Sequence, residues 1–365
     1  MRKHYLDNIR WGTQIIVVLY HVFYMYNAEG VVGGLGRITS LDVQYWDIFQ
    51  YIVYPWMMPV LFMVSGICAK LYLDSHTASE FIRSRTRKLL IPSTLGLFVF
   101  QFIQGYISMS IGGALDKGGD MEAVPGFVKY IIMAFVGSGV LWFLQLLWGL
   151  SVVLVLIRKI EKGRLWDRCA KANVIVIALL SVLLYGSAQV LNLRPITVFR
   201  VGLYMCAFLL GYFVFSHDEV MELLKRYFPF AAAISAVLCI AFCAVYFGEN
   251  YAEAPCNRSL LYIMYAYFGC IAILGGAARY ADFENGFTRW MNKRSFGLYI
   301  FHYMGISAVA LFIAKPGLVP APAVYVLSLI AGFAAGFGLN AVISRIPFFR
   351  WAVMGISRKD RKNVR

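Results

Sequence analysis

The first apolar segment of the chain carries three polar side chains that would share one face of a helix. Gln14 and His21 follow Arg10 by 4 and 11 residues, and 11 steps of about 100° end about 20° past three full turns. At a rise of about 1.5 Å per residue, His21 would lie about 16 Å from Arg10 along the axis, with Tyr24 beside it on the same face. A surface cation and a deeper imidazole would suit a substrate with an anionic head and a reactive tail.

His21 is the strongest candidate for chemistry. A hydroxyl is a poor nucleophile at neutral pH, and an imidazole is suited to taking its proton as a general base. The structural alternative makes Arg10 a membrane anchor and His21 a hydrogen-bonded core residue. Ser295 is followed after 4 residues by Tyr299 and after 7 by His302, so these three side chains would form a second polar stripe. His302 would either contact substrate or make a structural hydrogen bond.

Basic residues cluster in one predicted cytoplasmic loop. Four cations occur between positions 83 and 88. On a helix, Arg85 and Lys88 would face one side, while Arg83 and Arg87 would face another. Such a cluster could clamp phosphate or pyrophosphate groups, or it could only anchor the loop at the cytoplasmic surface.

Two further side chains could contact a substrate. Arg200, with Tyr204 one turn later, lies at the predicted outer end of an apolar segment, where it could meet an acidic or sugar group or reach out to the interface. A tryptophan such as Trp142 is most often a packing or interface residue, but Trp142 is also a candidate contact for the substrate. The sequence has no Gly-Lys-Ser/Thr phosphate loop, no Gly-x-Ser-x-Gly elbow, no zinc-type Cys/His spacing and no pair of intramembrane carboxylates. We therefore expect no metal, and ion-coupled transport is disfavoured.

The composition indicates that a membrane protein positions these side chains. Of the 365 residues, 60% are hydrophobic and 15% are charged, against roughly 25% charged residues in a soluble domain. The 34 Lys and Arg residues exceed the 19 Asp and Glu residues, for a net charge of +15. A nucleic-acid partner would need a solvated basic face, for which a chain with a mean hydropathy of +0.67 has little surface. The expected partner is a lipid bilayer.

Ten stretches without Asp, Glu, Lys or Arg could cross a bilayer core of about 30 Å as helices. They are 11–28, 48–69, 89–115, 130–157, 172–193, 201–216, 227–248, 259–278, 295–314 and 316–344. The sixth is short, and Gly137-Ser138-Gly139 indicates a broken or re-entrant start to the fourth.

The basic residues orient these spans. Of the 34, 27 lie in segments on the same side as the N-terminus and 7 on the other side, which places both termini in the cytoplasm. The predicted fold class is therefore all-α, polytopic, with ten transmembrane helices. An integral-membrane domain would cover residues 1–346, and a short basic cytoplasmic tail would cover residues 347–365.

Five motifs, in order over about 300 residues, are together similar to the membrane acyltransferase-3 family. Arg10 and His21 resemble the opening helix of that family, and the other motifs resemble its second, fourth and penultimate helices and its Arg-x-x-Arg loop. The motifs are residues 6–10 with His21, 59–66, 85–88, 141–144 and 295–302. The family has ten core spans and a cytoplasmic N-terminus, as the charge count also predicts.

The resemblance implies transfer of an acyl group, commonly acetyl or succinyl, from an acyl-coenzyme A thioester to a hydroxyl of a sugar, cell-envelope glycan, lipid or small natural product. His21 carries over as the essential histidine, Arg10 as its paired arginine and Arg85 as the first loop arginine. Lys88 replaces the second loop arginine and lacks its planar fork. Leu147 stands where one branch of the family has a glutamate.

Residue patterns and resemblance together define the predicted site. Arg10 and His21 would be catalytic. The predicted acyl-coenzyme A contacts are Arg10, Gln14, Arg83, Arg85 and Lys88, and the predicted substrate contacts are Tyr24, Trp142, Arg200, Tyr299 and His302. The expected location is the plasma membrane of a bacterium, with several passes. The alternative is a ten-span secondary transporter whose path includes the two histidines; it should have two related halves, and the first and sixth spans share no motif.

Overall fold

The computed structural model describes residues 3–192 and 199–356 of the chain, and the regular structure in these ranges is helical. The helices are α1 (His4–Met25), α2 (Ile48–Leu73), α3 (Ala78–Arg85), α4 (Ile91–Gly96), α5 (Phe102–Ile111), α6 (Gly126–Val136), α7 (Trp142–Glu161), α8 (Arg164–Cys169), α9 (Val174–Ala188), α10 (Val201–Phe213), α11 (Asp218–Tyr246), α12 (Leu260–Tyr280), α13 (Gly286–Val309), α14 (Ala321–Ile343) and α15 (Pro347–Met354). Short π-helical turns follow α3 (Thr86–Leu90), α4 (Leu97–Gln101) and α13 (Ala310–Ala314), and 3-10 turns lie at Tyr45–Asp47, Gly139–Leu141 and Cys256–Arg258.

Seven helical stretches in the described ranges are long and apolar enough to cross a membrane. They overlap the predicted second, third, fourth and seventh to tenth spans. The fifth and sixth predicted spans correspond to the shorter apolar helices α9 and α10. The first corresponds to α1, where Arg10, Gln14 and His21 interrupt the apolar sequence. The chain is thus an all-helical protein with several membrane-like helices, while the count of ten spans and the cytoplasmic termini stay predictions.

Two segments differ in detail from the predicted spans. The fourth span is interrupted at Gly137-Ser138-Gly139, as the glycines indicate, because α6 ends at Val136 and a 3-10 turn leads into α7 at Trp142. The predicted tail begins with the short helix α15, which packs against α4. The basic residues of that tail from Arg358 onward lie outside the described residues. Arg194, one of the 7 basic residues predicted on the side opposite the N-terminus, also lies outside them.

The helices form two compact units. The first contains residues 1–16, 48–82 and 149–292, and the second contains residues 17–47, 83–148 and 293–365. In the first unit, α2 and α10 approach backbone to backbone, because a Cβ at Gly66 would clash with the carbonyl oxygen of Phe208 and a Cβ at Gly211 with that of Met63. Small residues at such crossings are typical of helix packing in membranes.

In the second unit, small residues bring α13 and α14 together. A Cβ at Gly305 would clash with the carbonyl oxygen of Ala331, and a Cβ at Gly297 would clash with the side chain of Asn340. The two glycines lie on either side of His302 along α13. This close packing therefore fixes the stretch of backbone that carries the histidine.

Candidate active site

His21 of α1 and His302 of α13 are in direct contact within the second unit. Nδ1 of His21 lies 3.0 Å from Nε2 of His302 and 2.9 Å from the carbonyl oxygen of Val17. Nδ1 of His302 lies 2.9 Å from the carbonyl oxygens of both Leu298 and Tyr299. His302 is fully buried, whereas His21 is half-buried. The two imidazoles therefore belong to one chain of hydrogen bonds.

The backbone carbonyls decide which ring nitrogens carry protons. A carbonyl oxygen only accepts, so Nδ1 of His302 donates and its Nε2 is left to accept. Nδ1 of His21 also faces a carbonyl, so it carries the proton, and its single N–H is shared between that oxygen and Nε2 of His302. The lone pair of His21 is thereby placed on Nε2, which has no hydrogen-bond partner among the described residues. This arrangement can accept a proton from a substrate hydroxyl.

Three tyrosines surround the ring of His21. The ring centroids of Tyr20, Tyr24 and Tyr303 lie 5.1, 5.7 and 5.1 Å from that of His21. Tyr24 donates a hydrogen bond of 2.5 Å, and Tyr303 one of 3.0 Å, to the carbonyl oxygens of residues 32 and 33 respectively. These two hydrogen bonds therefore connect the loop that follows α1 to the tyrosines around His21.

Further along α13, beyond Tyr303, a second set of polar side chains is hydrogen-bonded. Ser307 is fully buried and donates to the carbonyl oxygen of Tyr303 at 2.7 Å. Nε2 of Gln104 on α5 donates to the hydroxyls of Ser307 and Ser108, both at 3.0 Å. Oε1 of Gln104 is buried and has no hydrogen-bond partner, so it offers an acceptor for an N–H or O–H group of a ligand.

The basic segment 83–88 is helical rather than a loop. A π-helical turn joins α3 to α4, and Nε1 of Trp148 on α7 donates to the hydroxyl of Thr86 in that turn at 3.0 Å. A π turn closes hydrogen bonds one residue further along the chain than an α turn does, so the angular spacing of the side chains changes there. The contact of Trp148 with Thr86 depends on the fold, because it joins residues 62 positions apart.

The exposure of the four cations does not follow the predicted pairs. Arg83 and Lys88 are exposed, whereas Arg85 and Arg87 are half-buried. The prediction assumed a regular α-helix through all four positions, and the π turn begins one residue after Arg85. The segment still presents several cations close together in the second unit.

One family match covers nearly the whole chain. The family model described as an acyltransferase domain matches residues 3–344. The chain belongs to the acyltransferase-3 family. With its membrane-like helices, it is a membrane acyltransferase. No curated protein and no solved structure gives a match.

Two of the predicted site residues of this acyltransferase lie on α1 in the first unit. Arg10 and Gln14 precede His21 on one continuous helix. The guanidinium of Arg10 pairs with Asp7 at 3.3 Å, and the Arg10 side chain is 40% exposed. Oε1 of Gln14 is buried without a hydrogen-bond partner. α1 is helical without interruption from His4 to Met25.

The hydroxyl of Tyr299 has a structural partner. It donates to the carbonyl oxygen of Val140, in the 3-10 turn before α7, and its ring centroid lies 6.1 Å from that of Phe143. Tyr299 therefore links α13 to the start of α7. Trp142, the first residue of α7, is half-buried.

The remaining predicted contact, Arg200, lies in the first unit and is 2% exposed. The alternative of an arginine that reaches the interface is therefore wrong, since its guanidinium is enclosed by protein.

Sequence reasoning missed Gln104 and the pairing of the two histidines. Gln104 lies inside the predicted third span, and a polar residue in an apolar span is a signal that could have identified it. The pairing of His21 with His302 joins residues 281 positions apart, which no local pattern indicates. Among the described residues, no group of three or more His, Cys, Asp or Glu side chains is placed to hold a metal ion.

Proposed function

We propose that this membrane acyltransferase moves an acetyl or succinyl group from cytoplasmic acyl-coenzyme A to a hydroxyl of a saccharide, a cell-envelope glycan or a lipid-linked acceptor, with His21 as general base. The observation that carries the proposal is the hydrogen bond between Nδ1 of His21 and Nε2 of His302. This bond leaves Nε2 of His21 as the proton acceptor.

The proposed reaction is a direct transfer. Nε2 of His21 takes the proton of the acceptor hydroxyl as the hydroxyl oxygen bonds to the thioester carbonyl carbon. The carbon–sulfur bond then breaks, and the acyl group remains on the acceptor as an ester. The sulfur of coenzyme A receives the proton back from His21 and leaves as the thiol. The base thus returns to its starting state without an acyl-enzyme.

His302 is the proposed positioning residue for the base. Its Nε2 accepts from Nδ1–H of His21, which holds the ring in one tautomer and one orientation, as the third member of a catalytic triad does. When Nε2 of His21 gains a proton, the same hydrogen bond becomes charge-assisted and therefore stronger. The chain has Leu147, not a glutamate, after the tryptophan of α7, so His302 supplies an orienting partner from another helix.

Arg85 and Lys88 are the proposed contacts for the phosphates of the coenzyme, with Arg83 beside them. Arginine and lysine near the start of a helical turn suit phosphate oxygens through charge-assisted hydrogen bonds. Arg10 and Gln14 keep their predicted roles, since Arg10 lies about 16 Å before His21 along α1. A long flexible arm between phosphate and thioester could bridge such a spacing.

The test replaces His21 by Ala in the full-length protein. Acyl transfer to host glycans, followed by mass spectrometry, should be abolished, while the melting shift caused by acetyl-coenzyme A or succinyl-coenzyme A should persist. His76→Ala is the matched control, because His76 is an exposed histidine in the turn before α3, and it should transfer at the normal rate. Retained transfer in His21→Ala would refute the proposal. Solute uptake into vesicles without acyl-coenzyme A would favour the transporter instead.

A further inference from the structure

A buried arginine in the first unit has no counter-charge among the described residues. Arg200, directly before α10, is 2% exposed. Its Nη2 donates to the carbonyl oxygen of Asn257, but its Nε and Nη1 are buried without a hydrogen-bond partner. Within the described ranges, no carboxylate forms an ion pair with it. Residues 193–198, just before it in sequence, contain no Asp or Glu.

The groups around this guanidinium do not supply the missing charge. It lies over the ring of Tyr262, 5.0 Å from the centroid, and within electrostatic range of Tyr54 and Tyr204. Burial raises the pKa of the neighbouring Cys256 thiol to about 12, so this thiol is neutral at physiological pH. Oδ1 of Asn257 is also buried without a partner. Glu249 lies within electrostatic range of Cys256, but among the described residues it forms no ion pair with Arg200. The side chains named around the guanidinium are therefore aromatic or polar and neutral.

An enclosed cation with free N–H donors is strongly unfavourable unless something compensates it. Bound water could accept hydrogen bonds from the free donors, but it would not neutralise the charge. Phosphate and carboxylate groups do both, and the guanidinium is the side chain best matched to them. Ionisable residues enclosed by membrane helices commonly mark ligand sites.

We propose that Arg200 binds an oxyanion, a phosphate or a carboxylate, of a ligand held among α2, α10 and α12. Tyr54, Tyr204 and Tyr262, one from each of these helices, would line the site, and the amide of Asn257 would accept a neighbouring hydroxyl or N–H of the ligand. The oxyanion could belong to a phospholipid headgroup or to a soluble acid. The proposal does not rest on acyl transfer, so a His21→Ala variant should keep this binding.

The experiment measures the melting temperature of the purified full-length protein at constant ionic strength, which keeps general charge screening equal. The probes are inorganic phosphate, succinate, and nanodiscs of phosphatidylglycerol compared with phosphatidylcholine. At least one anionic probe should raise the melting temperature by about 5 °C near saturation. Arg200→Met should abolish the shift. Arg258→Met, which removes a charge from the nearby 3-10 turn, should retain it.

The probe that raises the melting temperature identifies the source of the oxyanion. A shift with phosphate or succinate in detergent identifies a soluble oxyanion, whereas a shift only with phosphatidylglycerol, with that lipid retained in native mass spectrometry, identifies a lipid. Arg200→Lys, which keeps the charge but lacks the fork, should show a reduced shift and serves if Arg200→Met does not fold. No shift of the unaltered protein with any probe, or equal shifts in the Arg200 variants, would overturn the proposal.

Discussion

Removing the acceptor nitrogen of His302 should slow acyl transfer without weakening coenzyme binding. Its Nε2 accepts from Nδ1–H of His21 at 3.0 Å, and in the proposed mechanism this bond would become charge-assisted when His21 takes the substrate proton. A hydrogen bond to a charged group contributes about 1.5–3 kcal/mol. Since about 1.36 kcal/mol in activation free energy corresponds to tenfold in rate, His302→Leu should lower kcat by about 10- to 150-fold.

His302→Gln is the matched variant. Both substitutions remove the imidazole from a fully buried position, but the amide oxygen of glutamine can still accept from Nδ1–H of His21. Its kcat should therefore exceed that of His302→Leu by about tenfold or more, while KM for acetyl-coenzyme A stays within about twofold in both variants. A purely packing role for His302 would give similar losses for leucine and glutamine.

The assay follows thiol release from acetyl-coenzyme A or succinyl-coenzyme A by the purified protein. The acceptor is first identified by mass spectrometry of host glycans with and without the gene. Melting temperatures of the two variants check that both are folded. Equal kcat values for His302→Leu and His302→Gln, or a loss confined to KM, would refute the assigned role of His302.

Three further predictions concern the loop that follows α1, the packing of α13 against α14 and the basic segment 83–88. Burial and the nearby Asp47 raise the pKa of Glu29, in the loop that follows α1, from 4.5 to about 7. Between these two pH values the folded state binds more protons than the unfolded state. The free energy of unfolding should therefore fall as pH rises from about 4.5 to 7. Glu29→Gln should make the melting temperature depend less on pH in this range, and an unchanged pH dependence would contradict the prediction for Glu29. Gly305→Ala should destabilise the protein, because its Cβ would clash with a backbone carbonyl of α14, whereas Gly338→Ala meets nothing within 4 Å and should be neutral or stabilising in thermal denaturation. Lys88→Met should raise KM for acyl-coenzyme A by about tenfold, and Lys88→Arg should not; equal KM values in titrations of the two variants would remove Lys88 from the coenzyme site.

The helical architecture was largely predictable because hydrophobic length is a local property of the sequence. Uncharged runs identified the segments that form the seven membrane-like stretches, and Gly137-Ser138-Gly139 identified the break before α7. The π-helical turn at Thr86–Leu90 was not predictable, since its contact with Trp148 depends on the arrival of another helix. The predicted angular pairs of cations assumed a regular α-helix through these positions, and the π-helical turn replaces part of it.

The candidate site was predictable residue by residue but not as an arrangement. His21 and His302 each stood out as polar groups in apolar spans, and Tyr24 followed from the helical spacing. Their contact needs α1 and α13 to be adjacent, and Gly332 of α14 lies where a Cβ would crowd both Val18 of α1 and Ile306 of α13. The burial of Arg200 is likewise a tertiary property, because the same arginine at the end of an isolated helix would reach toward solvent.

A histidine as the partner of the base suits an apolar helix bundle. A carboxylate beside His21 would stabilise the imidazolium more strongly, but it would bring a permanent charge whose desolvation is costly in a membrane interior. His302 accepts the hydrogen bond from Nδ1–H of His21 through an uncharged nitrogen, so the resting pair contains no ion. In the proposed mechanism, a positive charge would form on this pair only as the acceptor oxygen attacks, and it would disappear when the thiol leaves. In this mechanism, the pair of histidines thus avoids a permanent ion pair at the base. The imidazolium would be stabilised less strongly than beside a carboxylate, so the rate should depend closely on the geometry that α13 and α14 impose.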